Sequence, residues 1–241
     1  MSDIPSFATG GMSSQGTTTV VGINKPKIDP IDKKILCKAM CTCDKDPNVG
    51  KDGKRLKQVC VSGQLKSLDQ FLSHRSPIKP EVNYDMTKHP PEPIMDSTVD
   101  TKGHNYLPGW IEKWWGSAPE HPSGYKPGAG LIRRPDVVIV KDPMKPPTQD
   151  NIKQIVEMKF PPDALTEAQE RAYERIAGDA QKLTTLEPGD CDCNSKEAED
   201  ARMPVEPLGF AAIAAAWLAY ILTKGKTPRP PLAPAFLAPA L

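Results

Sequence analysis

Three consecutive segments decide the fold of this chain: GLIRRPDVVIV at residues 130–140, IKQIVEMKF at 152–160 and ALTEAQERAYERIAG at 164–178. The first ends in a short run of β-branched residues, which is typical of a buried strand. The second alternates along its length and predicts another strand. The third has helical spacing, and Thr166 followed three residues later by Gln169 predicts a capping box. The predicted order is strand, loop, strand, helix.

The second strand has one fully apolar face, whereas Glu157 and Lys159 share the other face. Two charged residues on one face of a buried strand are unfavourable unless solvent, a cleft or a metal meets them. Asp136 opens the preceding strand, so pairing of the two strands would bring it close to Glu157. Paired carboxylates suit Mg²⁺ or Mn²⁺, which can polarise a phosphate and activate water, and an ammonium group can stabilise the developing charge. These residues predict a site for phosphodiester hydrolysis.

Basic residues surround this acidic pair. Between Lys126 and Lys159 there are seven basic and four acidic residues, with Arg133 and Arg134 just before Asp136. The net charge of the chain is only +1, so a nucleic-acid enzyme would need such a local patch. Arg133 and Arg134 are therefore the predicted substrate-binding residues. A solvent-exposed hairpin with an ordinary charged surface explains the same pattern and stays open as the alternative.

Taken together, the segments resemble the restriction-endonuclease-like toxin domains of the PD-(D/E)xK superfamily. They look closest to the group called Tox-REase-5, with the VRR-NUC nucleases as a near relative. The similarity rests on the GLIRRPD lead-in, the Glu-x-Lys and the Gln-x3-Tyr helix in that order, within about residues 125–180. It implies an α/β (α+β) fold with a restriction-endonuclease-like core of about four strands in a mixed sheet, flanked by helices and long Pro-rich loops. It also implies Mg²⁺-dependent (or Mn²⁺-dependent) endonucleolytic cleavage of DNA.

The resemblance also implies a role for each residue of the motif. Asp136 and Glu157 would bind the metal, and Lys159 would be the catalytic lysine. Gln169 and Tyr173 would lie on the helix that faces the site, Gln169 in a catalytic role and Tyr173 in substrate binding. Gln169 carries a conflict, because a capping box would turn its side chain towards the backbone at the start of the helix.

Domains of this kind also use an acidic residue from an earlier helix. Glu112, in WIEKWWG at 110–116, is the candidate, with Glu120 and Asp100 as alternatives.

The beginning of the chain suggests how the domain is delivered. SFATGGMSSQGTTTVVGINKPKI resembles the end of a PAAR-like module of a type VI secretion effector. This implies transfer from the producer cytoplasm into the cytoplasm of a competitor bacterium. The implied partners are DNA, a cognate immunity protein, and chaperone or secretion-spike proteins. No basic segment followed by an apolar one opens the sequence, so no secretory signal peptide is expected.

Composition and spacing suggest four regions in a chain with 27 prolines among 241 residues. They are a linker or end of the PAAR-like module at 1–30, a Cys-containing accessory region at 31–100, the nuclease domain at 101–226 and a Pro/Ala-rich tail at 227–241. The apolar run at 208–222 is shorter than the roughly 20 residues that span a bilayer. It therefore predicts a buried helix and no stable membrane span. A membrane-acting or binding effector that uses 208–222, and a housekeeping or phage repair nuclease, remain alternatives.

Six cysteines lie in two clusters and allow three interpretations. They could form disulfides, stay free or, less expectedly for Cys-x-Cys spacing, bind a structural zinc ion. The six are Cys37, Cys41, Cys43, Cys60, Cys191 and Cys193.

The aromatic and histidine residues give a weaker signal. Trp110, Trp114 and Trp115 have helical spacing and are expected in the core, with base stacking as the alternative. The four histidines lack a metal-ligand spacing and are expected in loops, and His121 is the least improbable general base among them.

Overall fold

In a computed structural model, residues 27–193 of the chain are described. The helices are α1 (Pro30–Lys45), α2 (Lys57–Phe71), α3 (Leu107–Trp114) and α4 (Glu167–Ala177). The strands are β1 (Asn48–Val49), β2 (Arg55–Leu56), β3 (Ile78–Pro80), β4 (Tyr84–Asp85), β5 (Glu92–Pro93), β6 (Ile132–Arg133), β7 (Val137–Val140), β8 (Ile152–Met158) and β9 (Leu183–Leu186). Short 3₁₀ turns lie at Trp115–Ser117, Ala180–Lys182 and Pro188–Cys191.

The central element is a four-stranded mixed sheet in the order β3-β7-β8-β9. β7 pairs with β3 and β8 in antiparallel fashion, whereas β8 and β9 run parallel. Parallel neighbours need a crossover connection, and α4 provides it between β8 and β9. The prediction of an α+β protein with a four-stranded mixed sheet flanked by helices is confirmed.

Helices cover both faces of this sheet. Val156 and Met158 of β8 pack with α1 and α2 in one apolar cluster. Ile155, on the opposite face, packs with Tyr173 and Ile176 of α4 in a second cluster. Because helices cover both faces of β8 here, Glu157 is also buried, which the alternation alone did not predict.

The structure confirms the predicted start and end of α4. Thr166 caps the helix, and its hydroxyl and the Gln169 side chain form a capping box with each other's backbone. Gly178 follows the last turn in the left-handed conformation, at φ 72°, which glycine adopts without strain. On the exposed face, Arg171 lies 2.9 Å from Glu167 one turn earlier.

α1 is the largest element that the sequence analysis did not predict. Asp29 caps it by accepting a hydrogen bond from the Ile31 N–H, and Pro30 occupies the first turn, where its missing N–H costs nothing. α2 has 15 residues, whereas its sequence predicts only a short helix near Ser67–Leu72.

All six cysteines are paired in disulfides, so no thiolate remains for zinc and that interpretation is wrong. Cys37 and Cys41 lie one turn apart on α1, and each bonds a cysteine of the segment that follows β9. The pairs are Cys37–Cys191, Cys41–Cys193 and Cys43–Cys60.

Strand pairing bears on one of the region boundaries that composition and spacing suggested. β3 comes from the region 31–100 yet pairs with β7 from 101–226, so one sheet crosses the boundary predicted there. The apolar run 208–222, the tail 227–241 and residues 1–26 of the first region lie outside the described residues, and the last residue of that region, Pro30, already belongs to α1. Among residues 27–193, no helix combines the length and apolar character needed to cross a membrane.

Candidate active site

Strand register brings the two acidic residues of the motif together. Val137 lies opposite Val156 in the antiparallel β7–β8 pair, so Asp136 lies opposite Glu157. The Asp136 N–H donates to Glu157 Oε2 at 3.2 Å, and the Met158 N–H donates to Asp136 Oδ2 at 2.9 Å. Each carboxylate is thereby held by backbone of the neighbouring strand, which brings the two side chains close together.

Lys159 completes this group from the end of β8. Its Nζ donates to Glu157 Oε1 at 3.0 Å, and its own N–H donates to the Leu186 carbonyl at 3.0 Å. Glu157 is 2% and Lys159 6% exposed. A buried ion pair of this kind needs good geometry to offset desolvation, and the strand scaffold supplies it. We call Asp136, Glu157 and Lys159 the catalytic cluster.

The cluster has two carboxylates but only one ammonium group, and this imbalance affects the pKa of Asp136. Burial and the negative charge of Glu157 raise the pKa of Asp136 to about 7, against the opposing effects of the Met158 N–H and the Lys159 charge. Both causes penalise the ionised form. A cation placed between the carboxylates would remove that penalty.

Glu81 is the acidic residue that the sequence analysis missed. It follows β3 in a left-handed conformation, at φ 49°, and its N–H donates to the Asp136 carbonyl at 2.9 Å. Burial would raise its pKa, but hydrogen bonds from Lys66 and Ser62 and the charge of Arg134 outweigh burial and lower it. Its negative charge in turn contributes to the raised pKa of Asp136. No local sequence signal marks Glu81, because the β3–β7 pairing that positions it is long-range.

Glu112 is not brought to the catalytic cluster. It lies exposed on α3, a helix that packs mainly on the turn that follows it. Of the two alternatives, Glu120 pairs with Lys88, and the charge of Asp100 acts on Lys79. Among the described residues, the acid from an earlier element that acts on Asp136 is Glu81.

Gln169 and Tyr173 connect α4 to the cluster. The Tyr173 hydroxyl donates to the Arg134 carbonyl at 3.2 Å, and burial and the charges of Glu157 and Asp136 raise its pKa. The Gln169 side chain takes part in the capping box and also hydrogen-bonds to Tyr173. The Gln169 side chain therefore forms the predicted capping box and contacts Tyr173 at the same time, and its catalytic role stays a prediction.

The two arginines differ in their surroundings. The Arg134 side chain is 55% exposed and lies 3.5 Å from Glu81. The Arg133 charge acts on Tyr173, and its guanidinium packs against Gly130, where a Cβ would come within 2.9 Å of it. Both positive charges therefore lie on the segment that leads into the cluster.

The donor set fits a hard divalent cation. The Asp136 and Glu157 side chains lie on neighbouring strands, and each accepts a hydrogen bond from backbone next to or at the other residue. Within residues 27–193, no group of three or more His, Cys, Asp or Glu residues could hold a metal ion by itself. Mg²⁺ commonly binds through one or two carboxylates together with water and substrate phosphates, so the residues present are sufficient.

Two acids and a lysine on adjacent strands of a mixed sheet, backed by helices, are the arrangement that the sequence predicts for a PD-(D/E)xK-like nuclease. Comparison with protein families agrees: residues 65–184 match the model of the VRR-NUC domain, and the chain therefore contains a VRR-NUC domain. No curated protein and no solved structure matches the chain. The matched range begins within α2 and ends within β9, so it includes β3, β7 and β8 and the first half of β9.

Proposed function

We propose that this nuclease is a Mg²⁺-dependent DNA endonuclease that hydrolyses phosphodiester bonds at the catalytic cluster. The observation that supports it most is the β7–β8 register, which places Asp136 opposite Glu157 with Lys159 3.0 Å from the latter. A structural hairpin would have no reason to bury this combination at the end of two strands.

The chemistry divides among the side chains of the cluster. Asp136 and Glu157 would hold the metal, which when bound polarises the phosphate and lowers the pKa of water. Glu157 also fixes Lys159 by accepting its hydrogen bond. The Lys159 ammonium group can then stabilise the charge that develops on the phosphate. Because the group is buried, its field is weakly screened.

The surrounding residues would position the substrate. Arg133 and Arg134 offer phosphate contacts beside Asp136, and Tyr173 holds the Arg134 backbone through its hydroxyl. Gln169 supports Tyr173 from the preceding turn of α4. Substrate binding by the arginines and positioning by Tyr173 and Gln169 follow from these contacts.

A plasmid-degradation assay with Mg²⁺ and with EDTA tests this function. Asp136→Asn, Glu157→Gln and Lys159→Met should each abolish cleavage while the circular dichroism spectrum stays that of the folded protein. Glu112→Gln is the matched control, because this exposed acid lies outside the cluster, and it should cleave normally. Full cleavage in EDTA, or by the Glu157→Gln variant, would refute the assignment.

We propose further that the nuclease is an antibacterial toxin of the Tox-REase-5 kind, exported by type VI secretion and neutralised by an immunity protein. The resemblances at residues 125–180 and at the N-terminus support this role. Expression of the wild-type chain in a bacterial cytoplasm should be toxic, Lys159→Met should not be, and co-expression of a cognate inhibitor should restore growth. Toxicity of the Lys159→Met variant that disappears when 208–222 is deleted would favour the membrane-acting alternative.

A housekeeping or phage repair nuclease is the second candidate. The match to the VRR-NUC family is consistent with it, since the same chemistry serves either role. Expression of the wild-type chain without an inhibitor distinguishes the toxin from the repair nuclease, because a bacterial cell would tolerate a repair nuclease expressed alone.

A further inference from the structure

A second cavity lies apart from the catalytic cluster, between α3, the turn that follows α3 and the β4–β5 hairpin. Its volume is about 250 Å³. We call it the tryptophan pocket, and the residues that matter here are Trp110, Trp114, His121, Asp85 and Glu92.

The floor of the tryptophan pocket is a fixed aromatic layer. The His121 ring stacks on Trp115 with centroids 4.1 Å apart and an interplanar angle of 8°. Its Nε2 lies 2.6 Å from Asp85 Oδ2, and its Nδ1 lies 2.7 Å from the Trp115 carbonyl. The side chains of His121 and Asp85 are only 3% and 4% exposed. Since both ring nitrogens already face oxygen atoms of the protein, His121 is held as a flat surface and not as a general base.

The walls are aromatic and unusually exposed. Trp110 meets His121 edge-on, with centroids 6.3 Å apart. Trp114 is 45% exposed, and the Lys113 ammonium group lies 4.6 Å from its ring centroid. None of the eight residues of α3 is buried, so folding does not explain two tryptophans on this helix. Aromatic rings beside a cation are the usual means by which proteins stack and hold unpaired bases.

We propose that the tryptophan pocket binds an unpaired base of the nucleic acid on which the catalytic cluster acts. The inference rests on the proposed nuclease function and names the form of its substrate. The base would stack on the indole of Trp114, and Lys113 would face the adjoining phosphate. Glu92, at the rim, disfavours a bare phosphate inside the pocket and can accept a hydrogen bond from a base amino group.

The distance to the catalytic cluster suits one continuous strand. Asp85 lies opposite Ile132 in the β4–β6 pair, and Ile132 precedes Asp136 by four residues. Four extended residues span at most about 14 Å, and the step between the paired strands adds about 5 Å. The sum, about 19 Å, corresponds to about six stacked nucleotides. A strand held in the tryptophan pocket can therefore reach the cluster.

Binding can be measured without cleavage, on the full chain in EDTA, by the fluorescence anisotropy of a labelled single-stranded oligodeoxycytidylate, whose bases carry an amino group. Trp114→Ala should raise the Kd for this strand roughly 5- to 150-fold, as expected for the loss of one stacked base. Trp114→Phe should retain most of the affinity. Phe71→Ala is the matched control, because Phe71 is an aromatic residue 48% exposed on α2, on the other side of the sheet.

Three outcomes would overturn the proposal. The first is an unchanged Kd in Trp114→Ala, and the second is equal loss for single-stranded and duplex probes. The third is a peptide of the sequence 227–241 quenching the tryptophan fluorescence while the oligonucleotide does not, since aromatic grooves also bind proline-rich segments. If the protein does not cleave plasmid but still binds the oligonucleotide through Trp114, the proposed nuclease function is refuted and the proposed base-binding pocket is not. If it cleaves plasmid but Trp114 does not contribute to binding, the pocket is refuted and the nuclease function is not.

Discussion

Replacing Asp136 with asparagine should stabilise the metal-free protein, although it abolishes cleavage. In the folded state the pKa of Asp136 is about 7, raised from 3.8 by burial and by Glu157. Above pH 7 the folded protein must keep this carboxylate ionised in an unfavourable place. A difference of about three pKa units corresponds to about 4 kcal/mol. Because Asp136 shares this titration with Glu157 and is partly exposed, we expect a gain of about 2–4 kcal/mol.

The sign follows from proton binding. Between pH 4 and pH 7 the folded protein binds more protons at Asp136 than the unfolded chain does, so its stability falls as pH rises through this window. The stabilisation by Asp136→Asn should therefore be largest at pH 8 and shrink by more than half at pH 5. Asparagine keeps an oxygen to accept the Met158 N–H bond, so the shape of the site is conserved.

Thermal denaturation in EDTA at pH 8 measures the effect. The midpoint of the Asp136→Asn variant should lie about 5–15 °C above that of the wild type. Mg²⁺ should raise the wild-type midpoint by mass action and leave the variant almost unchanged. Glu112→Gln, an exposed acid on α3, serves as the control and should shift neither. A variant less stable than the wild type in EDTA at pH 8 would show that the carboxylate pair is not under electrostatic strain.

Three further changes test other parts of the structure. Glu81→Gln should lower the cleavage rate at least tenfold, because Glu81 is the acid that acts on Asp136. The Glu112→Gln control should cleave at the wild-type rate. Equal rates in the two variants would mean that Glu81 has only a structural role. Replacing Cys43 and Cys60 with alanine opens a disulfide between residues 17 apart and should cost about 3 kcal/mol in urea denaturation. A loss below about 1 kcal/mol would mean that the packing of α1 on α2 suffices. Thr166→Ala removes the cap of α4 and should cost about 1 kcal/mol, which hydrogen exchange at the amides of Gln169 and Glu170 would detect as faster exchange there than in β8.

The parts of the fold that could be predicted are those with local signals. β7, β8 and α4 follow from β-branched runs, alternation, a capping box and a C-terminal glycine, and each lies within a few residues of its prediction. α1 also had a signal, since Leu36, Met40 and Cys43 recur at helical spacing and are fully buried. Because Cys43 was also a candidate metal ligand, its place in this helical pattern was not recognised from the sequence.

The features that the sequence could not predict depend on long-range pairing between strands. β3 has only three residues and ends at a proline, so nothing local identifies it as an edge strand, and Glu81 is positioned only through it. Burial of the Val156 and Met158 face of β8 likewise depends on α1 and α2, which come from a region expected to be separate. The sequence could therefore name the acids of the motif but not the third carboxylate beside them.

The layer formed by α1 and α2 connects the catalytic cluster to the disulfides. This layer packs on Val137 and Met158, the direct neighbours of Asp136 and Glu157. Three disulfides tie it to itself and to the segment after β9, and thereby limit the entropy of the unfolded chain. A fold stabilised in this way can tolerate two carboxylates that repel each other at its centre, whereas a fold with few reserves could not. Because disulfides persist only in oxidising compartments, the metal-free protein should be least stable in a reducing cytoplasm, where bound Mg²⁺ and nucleic acid would then contribute most to keeping it folded.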